Sequence, residues 1–63
     1  MSNSIEDKKK ARTLIIDTIK ATENSSDRTY ATGLIDMAFE LGAINVEEQM
    51  KYKTALYRAE LKD

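Results

Sequence analysis

Leu41-Gly42-Ala43-Ile44-Asn45-Val46-Glu47-Glu48 places a helix stop directly before a helix start. Gly42 follows the last apolar residue of a periodic run, where the backbone must turn left-handed and glycine does so without a Cβ penalty. Asn45 and Glu48, three positions apart, read as a capping box. In such a box the asparagine accepts a backbone N–H of the first turn and the glutamate reaches back to the cap. A stop and a start this close predict two helices joined by a tight corner.

Upstream of the corner, residues 27–41 carry Tyr30, Ala31, Leu34, Ile35, Met37, Ala38, Phe39 and Leu41 over more than half of a helical wheel. Thr32, Asp36 and Glu40 are left on a narrow polar strip, so this segment is expected to be the central, most buried helix. Gly33 interrupts it at a cost of about 1 kcal/mol relative to alanine, which fits either a close helix contact or a tolerated exposed glycine. The run Thr22-Glu-Asn-Ser-Ser-Asp27 is a loop by composition, because short polar side chains compete with helical hydrogen bonds and serve turns instead. Ser26 or Asp27 is expected to cap the helix that follows.

Further upstream, a first helix over about 4–22 starts at a Ser4 cap, with Glu6 and Asp7 at the positive end of its dipole. Ala11, Leu14, Ile15, Thr18, Ile19 and Thr22 share one broad face. Downstream, a third helix over about 46–62 carries two apolar stripes: Val46, Met50, Tyr57 and Leu61 on one side, Tyr52, Ala55, Leu56 and Ala59 roughly opposite. One stripe can face the other helices, and the second needs another partner. The fold class that follows is all-α, a small three-helix domain that pairs into a dimer.

Composition narrows the function. The 63 residues allow one domain, and 10 Lys+Arg against 11 Asp+Glu give a net charge of −1, so no charge surplus draws the chain to nucleic acid or anionic lipid. Without cysteine or histidine there is no thiolate, no Cys/His zinc site and no imidazole base. An enzyme is not expected, and neither is a cofactor or a metal. No apolar run approaches the roughly 20 residues that cross a bilayer, and no cleavable leader is apparent, so the expected location is the cytoplasm. A core at this length supplies only about 3–5 kcal/mol, which makes oligomerisation the remaining source of stability.

The remaining motifs have ordinary readings. The corner resembles a helix-turn-helix, but Glu47 and Glu48 would lead its second helix into phosphates with the wrong charge. Lys8, Lys9, Lys10 and Arg12 form the one basic cluster and the only nucleic-acid candidates. At 100° per residue they point all round the helix, with no aromatic residue interleaved. The pairs Asp36/Glu40 and Glu47/Glu48 lack further converging ligands, and Ser25 and Ser26 lack a base. Along the chain, residues 1–22 carry five basic and three acidic groups, residues 23–49 one and six, and residues 50–63 four and two. This basic–acidic–basic order can set the register of packed helices, although each exposed pair is worth only about 0–1 kcal/mol. The interface candidates are Tyr30, Phe39, Tyr52, Leu56 and Ala59, because aromatic side chains concentrate at interface centres.

The opening Met-Ser-Asn-Ser-Ile-Glu-Asp-Lys-Lys-Lys-Ala-Arg and the segment Leu-Gly-Ala-Ile-Asn-Val-Glu-Glu-Gln-Met-Lys-Tyr, with the overall length, resemble the small early proteins of lambda-type bacteriophages. These are the proteins encoded between the recombination and excision genes. The resemblance implies a non-enzymatic accessory protein of the bacterial host cytoplasm that favours lytic development or alters host physiology. It carries no functional residue over to a position here. The expected action is helical contact with a second copy and with a host or phage protein. The other reading is a small DNA-associated transcriptional regulator built on the helix-turn-helix-like corner.

Overall fold

A computed structural model describes residues 5–62. Three helices fill most of that span, α1 (Ile5–Lys20), α2 (Ser25–Glu40) and α3 (Val46–Arg58), and each packs against the other two. No strand occurs among the described residues, so the domain is all-α. The expected cap at Ser4 lies outside them.

The corner between α2 and α3 forms as its residues require. Gly42 takes φ 74°, its N–H bonds Phe39 O at 3.0 Å, and Ala43 N–H bonds Ala38 O at 2.9 Å. These paired bonds satisfy the last carbonyls of α2, and Ala38 and Ala43 both enter the core beneath them. Asn45 Oδ1 then accepts from Glu48 N–H at 2.8 Å while Glu48 Oε1 accepts from Asn45 N–H at 3.0 Å. Both halves of the capping box are present.

Besides α1, which stops at Lys20 instead of residue 22, two helix ends differ from the sequence reading. Neither Ser26 nor Asp27 caps α2: Asn24 does, accepting from Asp27 N–H at 2.9 Å, and the helix begins at Ser25 instead of residue 27. Asparagine and serine are comparable caps, and spacing decides between them. With the cap at Asn24, Asp27 falls in the first turn, where its carboxylate faces the positive end of the dipole and also accepts Glu23 N–H at 3.0 Å. The second difference is that α3 stops at Arg58, short of the expected residue 62, because Ala59 is extended at φ −67°, ψ 135°. Arg28 from α2 takes the carbonyls of this last turn, and Lys62 N–H bonds Glu23 O at 2.6 Å.

The core gathers Ile15 from α1, Ala31, Ile35 and Ala38 from α2, Ala43 and Ile44 from the corner, and Tyr52 and Leu56 from α3. Here α2 departs from the expected fully buried helix, since Tyr30, Met37 and Leu41 all stay exposed. In a three-helix arrangement each helix has two neighbours and can bury only one stripe. On α3 the buried stripe is Tyr52 and Leu56, while Val46, Met50 and Tyr57 face outward. This reverses the assignment of Tyr52 and Leu56 as partner-facing residues. The rotation is set by polar side chains on the same face: Glu48 pairs with Arg12 of α1 at 2.6 Å and Gln49 with Asp36 of α2 at 3.0 Å. Turning α3 to bury Met50 would break both.

Two substitutions test this packing. A methyl group added at Gly33 meets no atom within 4 Å, so the exposed reading of that glycine is the right one. Gly33→Ala is therefore expected to raise stability by about 0.5–1 kcal/mol, read as a higher urea midpoint at unchanged slope. Leu56→Ala is expected to cost about 2–5 kcal/mol, most of what a core this small supplies, leaving a chain whose helical circular dichroism is largely lost in buffer.

Candidate interaction surface

Apolar side chains recur along the outer side of α2 at Tyr30, Leu34, Met37 and Leu41, spaced i, i+4, i+7 and i+11 and therefore stacked on one face. Tyr30, Met37 and Leu41 are 58–65% exposed and Leu34 is half-buried. Leu14 of α1, half-exposed, borders the same face. Between the two helices runs an open groove of about 220 Å³ whose walls include Ala11, Leu14, Leu34, Met37 and Leu41. Leu14 and Met37 are legible as apolar positions in the sequence, but periodicity assigned both to the buried faces. Their exposure follows from where α1 and α2 meet, which no local pattern encodes.

The five interface candidates scatter over the fold. Tyr30 lies on this stripe, and Phe39 is 37% exposed on another side of α2. Tyr52 and Leu56 belong to the core, at 6% and 0% exposure, so Leu56 cannot meet a partner in this fold and Tyr52 presents only a small part of its surface, between α1 and α3. Ala59 is half-buried just past the end of α3. The exposed apolar stripe of α3 consists of Val46, Met50 and Tyr57 instead, and the Arg28 guanidinium sits 5.4 Å from the centroid of the Tyr57 ring, within cation–π range.

The basic cluster does not form a patch. Arg12 donates from Nε to Glu48 Oε2 at 2.6 Å and acts as a tie between α1 and α3. Lys8 is half-buried, Lys9 is exposed, and Lys10 stands 4.0 Å from Glu6 in a largely solvated pair. At the helix-turn-helix-like corner, Glu48 spends both oxygens on structure, one on Asn45 and one on Arg12. The Asn45 N–H, and after it Arg12, hold the Glu48 carboxyl below the usual carboxylate range. Lys53 and then Gln49 lower Asp36 in the same way. Burial, assisted by Glu48, pushes the Tyr52 hydroxyl up.

Chemistry elsewhere is sparse. No group of three His, Cys, Asp or Glu side chains among the described residues could hold a metal, and no helix among them is long and apolar enough to cross a membrane. The hydroxyls of Thr13, Thr18, Thr22, Thr29 and Thr32 all bond carbonyls one turn back. No known family, curated protein or solved structure matches this chain.

The carboxylate shifts carry a sign. A carboxyl held below its unfolded pKa adds stability that is complete above the unfolded value and disappears as pH falls through the folded one. Unfolding midpoints are therefore expected to be flat near neutrality and to drop below about pH 4.5, with Glu48→Gln less stable at pH 7 and less sensitive to acid. Arg28→Ala is expected to cost about 1.5–3 kcal/mol, the range for hydrogen bonds to a charged group, with Arg28→Lys recovering only part because an ammonium lacks the flat face that covers Tyr57. Urea titrations of both variants check this.

Proposed function

We propose that this chain is a non-enzymatic helical interaction module that pairs with a second copy through the outer stripe of α2. The observation that carries the reading is the excess of apolar surface over core. Ten large apolar side chains stay exposed among the described residues, whereas the core holds eight apolar residues, three of them alanine. A contiguous exposed apolar patch on a small domain marks an association site.

The spacing of the stripe favours a twofold partner. Tyr30, Leu34, Met37 and Leu41 read the same in both directions, so two antiparallel copies of α2 set Tyr30 against Leu41 of the second copy and Leu34 against its Met37. A self-complementary patch of this kind closes into a dimer and stops there. Leu14 and the groove beside it widen the contact. Pairing also offsets the weakness of so small a core.

The chain's resemblance to small early accessory proteins of lambda-type phages fits a module that acts by occupying a host or phage protein in the bacterial cytoplasm. A DNA-binding role has less in its favour, since Arg12 and Glu48 are engaged with each other at the corner.

Sedimentation equilibrium over a range of concentrations is the test. The chain is expected to sediment at twice its own mass, Met37→Asp at the monomer mass with its helical spectrum intact, and Met50→Asp, on the exposed stripe of α3, still as a dimer. A wild-type chain that stays monomeric at every concentration would overturn the reading.

A further inference from the structure

On the side of the molecule away from the α2 stripe, α1 and α3 enclose an open trough of about 260 Å³ lined by Ile16, Ile19, Tyr52 and Ala55, with Lys20 and Lys51 on its margins. The lining is almost wholly apolar, and Ile16 is 39% exposed although it lies beside the core helices. Neither lysine has an ion-pair partner among the described residues. Lys51 instead places its ammonium 6.0 Å from the Tyr52 ring, over the trough itself.

We infer that this trough docks an acidic amphipathic helix of a partner protein, its apolar ridge entering between Ile16 and Ala55 and its flanking carboxylates meeting Lys20 and Lys51. Three observations choose that occupant. The space is smaller than the roughly 300–1,000 Å³ of small-molecule sites and is open along its length, which suits a row of side chains more than an enclosed ligand. A helix laid in a groove anchors through residues at i, i+4 and i+7 and needs apolar floor with charge at the edges. The two charged residues lining the trough are both lysines, and although Lys51 also acts on Glu48 at longer range, carboxylates on the visiting helix complement the pair while lysines would be repelled.

The way the trough arises supports the same choice. The packing of α1 against α3 places Lys20 and Lys51 at one furrow, although they stand far apart in sequence. The acidic stretch 23–49 runs through α2 and ends in the first turn of α3 at Glu47 and Glu48, and none of its carboxylates lines the furrow. A nucleic acid fits less well, because the aromatic ring available here is buried and offers no face for a base to stack on.

This inference rests on the reading of the chain as an interaction module but uses a different face, so the two can fail separately. The probes are two synthetic helical peptides of equal length with leucines at i, i+4 and i+7, one flanked by glutamates and the other by lysines, each titrated into isotopically labelled chain. The glutamate peptide is expected to shift the amide signals of Ile16, Ile19, Lys20, Lys51 and Ala55 and to bind less tightly as salt rises. Removing both margin charges, Lys20→Gln with Lys51→Gln, is expected to weaken it by roughly tenfold and to abolish the preference over the lysine peptide, with the helical spectrum unchanged because both side chains are exposed and no carboxylate is placed at the C-terminal end of α1. Met37→Asp should leave this binding intact while abolishing self-association. Equal binding of the two peptides, binding of neither, shifts centred on Leu14 and Met37, or displacement of the glutamate peptide by a single-stranded oligonucleotide would each overturn the inference.

Discussion

The Arg28 guanidinium at the C-terminal end of α3 is the contact on which the arrangement of the helices turns. Its Nη2 donates to Ala59 O at 2.9 Å and more weakly to Tyr57 O and Leu56 O, where the partial negative charge of the helix end is greatest. Its Nε is buried without a protein partner, so its placement carries a desolvation cost that only the carbonyl bonds and the Tyr57 ring offset. At the other end of α3, Glu48 faces the opposite pole of the dipole and is tied to Arg12 of α1. The helix thus has charges of the sign its dipole favours at both ends, its own Glu48 at the start, tied down by Arg12 of α1, and Arg28 of α2 at the finish. Those two attachments, with the Gln49–Asp36 bond between them, match the rotation that carries Tyr52 and Leu56 inward.

What the sequence revealed and what it concealed divide along the reach of the interactions. Gly42, Asn45 and Glu48 act within a few residues, so the corner was readable in full, down to the left-handed glycine and both halves of the capping box. The choice between the two stripes of α3 was not. Both have helical spacing, and the balance is tipped by Arg12, Asp36 and Arg28, partners 13 to 36 positions away. The premature end of α3 is of the same kind, since nothing local at Ala59 or Glu60 breaks a helix. Asn24 was a near miss, one of several possible caps in a polar run. The exposed stripe of α2 was visible as apolar positions but not as surface, because periodicity alone gives a helix more apolar width than two neighbours can cover.

The small core and the large apolar surface are two aspects of one constraint. Ile15, Ile35 and Leu56 are the only large side chains almost completely shielded among the described residues. Alanines fill much of the remaining interior and let the helices approach closely, which leaves the bulky residues at their edges. Tyr30, Met37 and Leu41 on one side and Ile16 on another lie at such edges. Lysines lie on α1 and α3 and none on α2, so the apolar edge between α1 and α3 is the one that lysines flank.

The corner at Gly42 also bears on the order in which the chain folds. Its turn and cap close through bonds between residues no more than five apart, and closing so short a loop takes only about 10–100 ns. The hairpin of α2 and α3 can therefore close quickly, and so can that of α1 and α2 across residues 21–24; only the α1–α3 contact marked by Arg12 and Glu48 spans a long stretch of chain. No proline interrupts the chain, so no slow peptide-bond isomerisation divides the refolding population. Either hairpin alone lacks part of the core that Ile15, Ile35 and Leu56 complete together, so the interior is shielded only once the third helix has docked.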